Sequence, residues 1–237
     1  MNEFIGYYIC GILVMISVII SIVAQFKVNG AYNKYKDELS PLDMTGRELA
    51  YMLSKKANIA VSVASTSGML TDHYNPTNKS LNISNSDYNS KSIAAHAIVA
   101  HEFGHAMQDA ENYFPFKVRQ TTVRVGGIIS KLLIPMIILG LLLEFFVLAG
   151  AGNIILYISV GSYFVSCVIN RVTLPVEFNA SKRAKELLSQ CGVSSQAEMA
   201  GVHDVLNAAA MTYVASTLVS LAYLLRILSI IRIFSRD

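Results

Sequence analysis

The chain has 237 residues, of which 53% are hydrophobic and 15% charged, and its mean hydropathy of +0.46 excludes an ordinary soluble domain. The net charge of +3 is small and no basic stripe interleaved with aromatics is visible, so nucleic acid is not an expected partner. The three cysteines, Cys10, Cys167 and Cys191, form neither a disulfide framework nor a cysteine–zinc spacing, which fits a reducing compartment.

The first element is an apolar stretch from Phe4 to Ala24, close to the ~20 residues that a bilayer core requires. Its preceding Met1-Asn2-Glu3 has no basic side chain and no cleavage site follows, so it reads as a retained anchor rather than a signal peptide. Next come the water-facing parts. Thr45-x-x-Glu48 is a capping box opening a helix to about Lys56. Asn58 to Ala64 and Lys79 to Ser84 carry short β-rich patterns, separated by Ser-Thr-Ser-Gly and the turn-forming Asn75-Pro76. They predict a small β-ribbon, with His73 in the polar loop before an edge strand.

A helix-forming run then starts at Ser92 and ends before Pro115, and it contains His101-Glu102-Phe103-Gly104-His105. Residues four apart on a helix lie roughly 40° apart on one face. Two imidazoles so placed can hold one zinc ion, and the glutamate beside the first can act as general base toward a water. His96 precedes His101 by five positions and falls roughly 140° around the helix, so a packed or capped role is expected of it.

Beyond this helix, Ile128 to Gly150 (with Pro135 a kink point) and Ile154 to Asn170 are two further apolar stretches, joined only by Ala151-Gly152-Asn153 as a membrane hairpin. Glu144 lies in the first of them, where snorkelling or protonation is the plainer reading. Pro175 suits the first turn of a separate helix, and Gly192 closes that helix after Cys191. Ser195-x-x-Glu198 opens a last one, in which His203 beside Asp204 reads as a surface or paired residue. This helix runs into an apolar segment from about Met211 to Phe234 that Arg226 interrupts. Lysines and arginines follow the first and third stretches and precede the second, while the amino terminus and the hairpin tip have none. The positive-inside rule therefore predicts an external amino terminus, with residues 25–127 and 171–210 cytoplasmic. Arg232 and Arg236 conflict mildly with a full crossing of the last segment. The expected domains are an anchor (1–26), a cytoplasmic part with the histidine helix (27–127), a transmembrane hairpin (128–170), cytoplasmic helices (171–210) and a C-terminal apolar segment (211–237).

Two histidines leave a catalytic zinc site one protein ligand short. The predicted hairpin returns the chain to the face it left, which brings Glu177 close to His101 and His105. Glu177 is then either a third ligand or an ordinary carboxylate at a helix start. A zinc-binding hydrolase, a non-catalytic zinc-stabilised scaffold or adaptor, and a transporter are the readings to separate. The spans lack the paired interrupted helices of a transporter, and a structural zinc site has no need of Glu102.

Three blocks resemble a known family: Ala-His-Glu-Phe-Gly-His-Ala-Met-Gln around His101–His105, Leu-Thr-Asp-His-Tyr-Asn-Pro at 70–76, and Leu-Pro-Val-Glu-Phe-Asn-Ala-Ser at 174–181. With Met44-Thr-Gly and Ala-Met-Thr-Tyr-Val-Ala at 210–215, the chain is similar to the YugP-like neutral zinc metallopeptidases of bacterial membranes over about residues 40–225. The third block also looks like that of membrane proteases related to the CAAX prenyl protease. The resemblance implies a mainly α, multi-span membrane protein with a small α+β, gluzincin-like protease domain on the cytoplasmic face of the bacterial plasma membrane. It implies one catalytic Zn2+ held by His101, His105 and Glu177, with Glu102 as base. Its partners would be the lipid bilayer and peptide or protein substrates, membrane proteins among them. Ser181 stands where many gluzincins carry an aspartate that orients a ligand histidine, so Asp72, Asn179 or a main-chain carbonyl is considered in that place. His73 and Tyr213 are candidate donors to a developing oxyanion, or else a loop-locking histidine and an interfacial aromatic.

Overall fold

The computed structural model describes residues 2–146, 151–193 and 195–234. The elements are α1 (Asn2–Tyr35), α2 (Gly46–Ala57), β1 (Ser62–Thr66), β2 (His73–Asn75), β3 (Ser80–Ser84), α3 (Asn85–Tyr88), α4 (Ile93–Ala110), α5 (Phe114–Phe146), α6 (Ala151–Cys191) and α7 (Gln196–Phe234). The chain is thus mainly helical with one small sheet. It divides into two compact units: one of Met1–Val23, Val118–Leu174 and Thr212–Asp237, the other of Ala24–Lys117 and Pro175–Met211.

Within the second unit the expected capping box is present. Thr45 N donates to Glu48 Oε2 and Glu48 N to Thr45 Oγ1, at 2.7 and 3.3 Å, which satisfies two amide groups that the first turn of α2 would otherwise leave open. Ser92 caps α4 by accepting from Ala95 N at 3.1 Å. The second capping box opens α7, where Glu198 N donates to Ser195 Oγ. A buried core of Leu49 and Leu53 from α2, Leu81 and Ile83 from β3, Val99 and Phe103 from α4, Leu188 from α6 and Val202 from α7 joins these elements.

The sheet differs from the expected ribbon. Its order is β1-β3-β2, with β1 parallel to β3 and β2 antiparallel to β3. Parallel partners cannot be joined by a tight turn, and the link between them holds a strand that the sequence patterns miss. His73 is therefore the first residue of β2 and not part of a loop. Three residues are too few for an alternation to be read.

Pro175 likewise does not start a helix. It sits inside the continuous α6, where it removes one main-chain donor while its fixed φ remains compatible with the helix.

In the first unit, apolar side chains such as Ile12, Ile19, Leu132, Phe164, Leu221 and Leu228 point outward. Among the described residues two helices are long and apolar enough to cross a membrane, Ile5–Tyr35 and Gln196–Arg232. They correspond to the first and last expected spans. The second and third expected spans fall in α5 and α6. The end of the second, residues 147–150, and the side chain of Glu144 lie outside the described residues. Arg226 does not break α7. Its guanidinium donates to the main-chain oxygen of Tyr7 and lies over the Tyr7 ring, 3.5 Å from the centroid, so the charge is satisfied within the unit. Gly11 makes the room, since a Cβ there would meet Arg226 at 2.8 Å.

Candidate metal centre

The site is built in the second unit, where α4 and α6 touch at backbone distance. Gly104 permits this approach. A Cβ at that position would stand 2.7 Å from Ala180 O and 3.2 Å from Ala180 Cα. The consequence is that residues on either side of Ala180 lie against the histidine face of α4. His101 and His105 meet edge to face with centroids 4.9 Å apart, as helical spacing requires. Both Nε2 atoms approach one carboxylate oxygen, Glu177 Oε2, at 3.1 Å for His101 and 3.6 Å for His105. Glu177 is 1% exposed. Phe116 stacks on the His105 ring.

These donors suit a divalent metal such as zinc. Two bonds of ~2.0–2.1 Å at a tetrahedral angle separate their ligand atoms by roughly 3.3 Å, a value that the 3.1 and 3.6 Å separations bracket. The far nitrogens are also engaged. His101 Nδ1 lies 3.1 Å from Ser181 Oγ, and His105 Nδ1 lies 2.9 Å from Gln108 Oε1. Ser181 therefore occupies the orienting position itself. Asn179 stands behind Gln108, accepting from its Nε2 at 2.9 Å. Asp72 is engaged elsewhere: its Oδ1 accepts from Ser84 N and it adjoins the buried Asp87. Burial first, and then the Asp72 charge, push the Asp87 carboxyl up to about 6.

Glu102 shares this face. Its ligand-capable oxygen and the nitrogens of His101 and His105 all lie within 4.8 Å of one another. Glu102 Oε2 accepts from Tyr74 N of β2 at 3.0 Å. Tyr74 is in turn tied to α4 by its hydroxyl, which donates to Asp109 Oδ2 at 2.7 Å. Burial and then Asp109 raise the Tyr74 phenol above its ordinary range, so it stays a donor at neutral pH.

The remaining candidates are placed as follows. His73 is exposed, and its Nδ1 donates to Thr71 O at 2.9 Å, because a carbonyl oxygen can only accept. Its Nε2 is then an acceptor in the neutral ring and a donor only in the imidazolium. Tyr213 belongs to α7 in the other unit, and its main-chain oxygen accepts from Thr217 Oγ1. His96 is buried, and its Nε2 donates to Met44 O at 2.7 Å. Burial lowers its pKa against the opposing effect of that bond, so it belongs to the packing of α4 against the start of α2. His203 is exposed, with its pKa lowered by partial burial and by Lys185. Neither Gln108 nor Gly104 stands out in the sequence. The usable signal for Gln108 is its position three residues after His105, where side chains on a helix meet.

Residues 10–232 match the family described as Putative neutral zinc metallopeptidase. The chain is also similar to “Putative membrane protease YugP” of Bacillus subtilis (strain 168), with 37% identity over 212 residues that cover 89% of this chain and 91% of that protein. No solved structure matches the chain.

Proposed function

From the premise that the chain belongs to the neutral zinc metallopeptidase family, we propose that it is a membrane-bound endopeptidase that hydrolyses peptide bonds with zinc and a glutamate general base. The observation that carries this reading is the approach of His101 Nε2 and His105 Nε2 to one buried Glu177 oxygen, beside Glu102. His101, His105 and Glu177 would hold the ion as a gluzincin-type ligand set. Zinc bound there would lower the pKa of a coordinated water toward ~7 and polarise the scissile carbonyl.

Every other step belongs to side chains of this protein. Glu102 is oriented by Tyr74 N through Oε2, which leaves Oε1 to take the proton of the attacking water and later deliver it to the leaving amine. Ser181 and Gln108 hold the two imidazoles in position from behind. His73 in its imidazolium form would supply the donor to the developing oxyanion. The two helices long and apolar enough to cross support insertion in a membrane, and the apolar stretches of α5 and α6 would add the further spans of a multi-pass protein. The distribution of lysine and arginine supports a cytoplasmic active site in a bacterial plasma membrane. Such a site would act on loops, tails or unfolded parts of membrane proteins.

The test uses full-length protein in detergent. Wild type is expected to bind one zinc ion per chain and to cleave casein or a peptide library in a chelator-sensitive way. Glu102→Gln should keep the zinc and lose about 10²–10⁴-fold in rate. A wild type that binds zinc yet cleaves nothing would favour the non-catalytic scaffold, and full activity of Glu102→Gln would remove Glu102 from its role.

A further inference from the structure

The hydrogen bonds behind His105 form a chain whose polarity is forced at every link. Arg183 can only donate. Its Nε points at Asn179 Oδ1 at 2.8 Å, and its two terminal nitrogens make a forked pair with the Glu111 carboxylate at 2.6 and 2.7 Å. Asn179 must therefore present its oxygen inward. That oxygen accepts from Gln108 Nε2 at 2.9 Å, and the same nitrogen donates to Val176 O at 2.8 Å. Both partners of the Gln108 nitrogen are acceptors, so its amide has one orientation and Oε1 faces His105 Nδ1 at 2.9 Å. An amide oxygen can only accept, so Nδ1 carries a proton, and in the neutral ring Nε2 then keeps its lone pair, directed at the Glu177 carboxylate side of the site. Gln108 is 0% exposed, so no water competes for the amide, and a reversed orientation would set its oxygen against two acceptors, Val176 O and Asn179 Oδ1.

We propose that Gln108 is a positioning residue that holds His105 in the Nδ1-protonated, metal-competent tautomer, and that the direction of its amide is imposed from the protein surface by Arg183 through Asn179. The proposal rests on the metal-binding part of the function above and goes beyond it. A surface ion pair, Glu111–Arg183, is coupled to a ligand ring through two neutral amides. Both imidazoles are backed by uncharged side chains, Ser181 and Gln108. The network, not a carboxylate, therefore selects the tautomer.

The test uses full-length protein in detergent, isotope-labelled at the histidine ring nitrogens, with the His105 signals assigned by comparison with His105→Gln. Ring tautomers are read by NMR without metal, and zinc affinity by competition with a chromogenic chelator. Wild type should show His105 almost wholly Nδ1-protonated. Gln108→Leu should give a mixture of tautomers and bind zinc about 10- to 100-fold more weakly. Arg183→Leu, which alters only the outer end, should produce a partial mixture and a loss of about three- to tenfold. A folded Gln108→Leu protein with the wild-type tautomer and zinc affinity overturns the proposal. Should that variant not fold, an unchanged tautomer in Arg183→Leu overturns it equally. A wild type that shows the Nδ1–H tautomer but binds no zinc supports the amide chain while overturning the protease reading.

Discussion

Replacing Gly104 by alanine tests whether the closeness of two helices sets the metal site. The new Cβ would lie 2.7 Å from Ala180 O and 3.3 Å from Ala180 C, and both are backbone atoms of a continuous helix that no rotamer change can move aside. Ordinary carbon–oxygen contact requires roughly 3.4 Å or more, so α6 has to retreat by about 0.7 Å at this point. Ligand distances in metal sites hold to about ±0.2 Å, so Glu177, three residues before Ala180, cannot follow that retreat and still meet both imidazoles. Overpacking of this kind costs about 1–3 kcal/mol, against which the better helix propensity of alanine returns at most ~1 kcal/mol. When the metal-free protein relaxes by separating α4 from α6, the strain reappears on metal binding, as roughly a five- to 150-fold weaker zinc affinity. When it does not relax, the strain lowers the unfolding midpoint of the metal-free form instead. Chelator competition and thermal unfolding, each with and without zinc, measure both parts. Gly104→Ala protein with zinc affinity within twofold of wild type and an unchanged midpoint in the metal-free form would refute the argument.

Other outcomes follow from the same geometry. Glu177→Ala should lower zinc affinity by at least about 100-fold, because removing one of three protein ligands also leaves the paired rings without their carboxylate. Undiminished zinc by metal analysis would exclude Glu177 as a ligand. Asp87→Asn should remove a pH dependence of stability. The Asp87 carboxyl is raised from 3.8 to about 6 in the folded protein, so the folded state binds more protons than the unfolded state between those values. This group's contribution is fully present below pH ~4 and is lost as pH rises through about 6, a change on the order of 3 kcal/mol at most. The variant should therefore be more stable than wild type at pH 7.5 and lose that advantage at pH 4, as read by thermal midpoints across the range. An equal difference at both pH values would contradict the assignment. The Asn side chain keeps an oxygen to accept from Tyr32 Oη, which donates to Asp87 Oδ1 at 2.8 Å in the wild type.

Much of the candidate site is local, and so it can be read from the chain. The His101–His105 pair depends only on helical period, and Ser92 and Thr45 announce their helices because capping satisfies main-chain groups within four residues. Apolar length alone identifies α1 and α7 as helices able to cross a bilayer. Local patterns misjudge Pro175, because its fixed φ suits a helix interior as well as a first turn, and the surrounding α6 tolerates one missing donor. They miss β2 because three residues carry no period, and its strand character comes from pairing with β3.

What the sequence by itself determines here is which chemistry is on offer: two imidazoles on one face, a neighbouring carboxylate and a distant glutamate. The tertiary structure alone decides how far apart these groups stand. The separation of Glu177 from His101 and His105 depends on α4 and α6 meeting at Gly104 and Ala180, a contact between residues 76 positions apart in the case of Ala180 and Gly104. The orientation of Gln108 depends on Asn179 and Arg183 across the same contact. Hydrogen-bond direction and sub-ångström spacing arise from packing between distant segments, and no local periodicity encodes them.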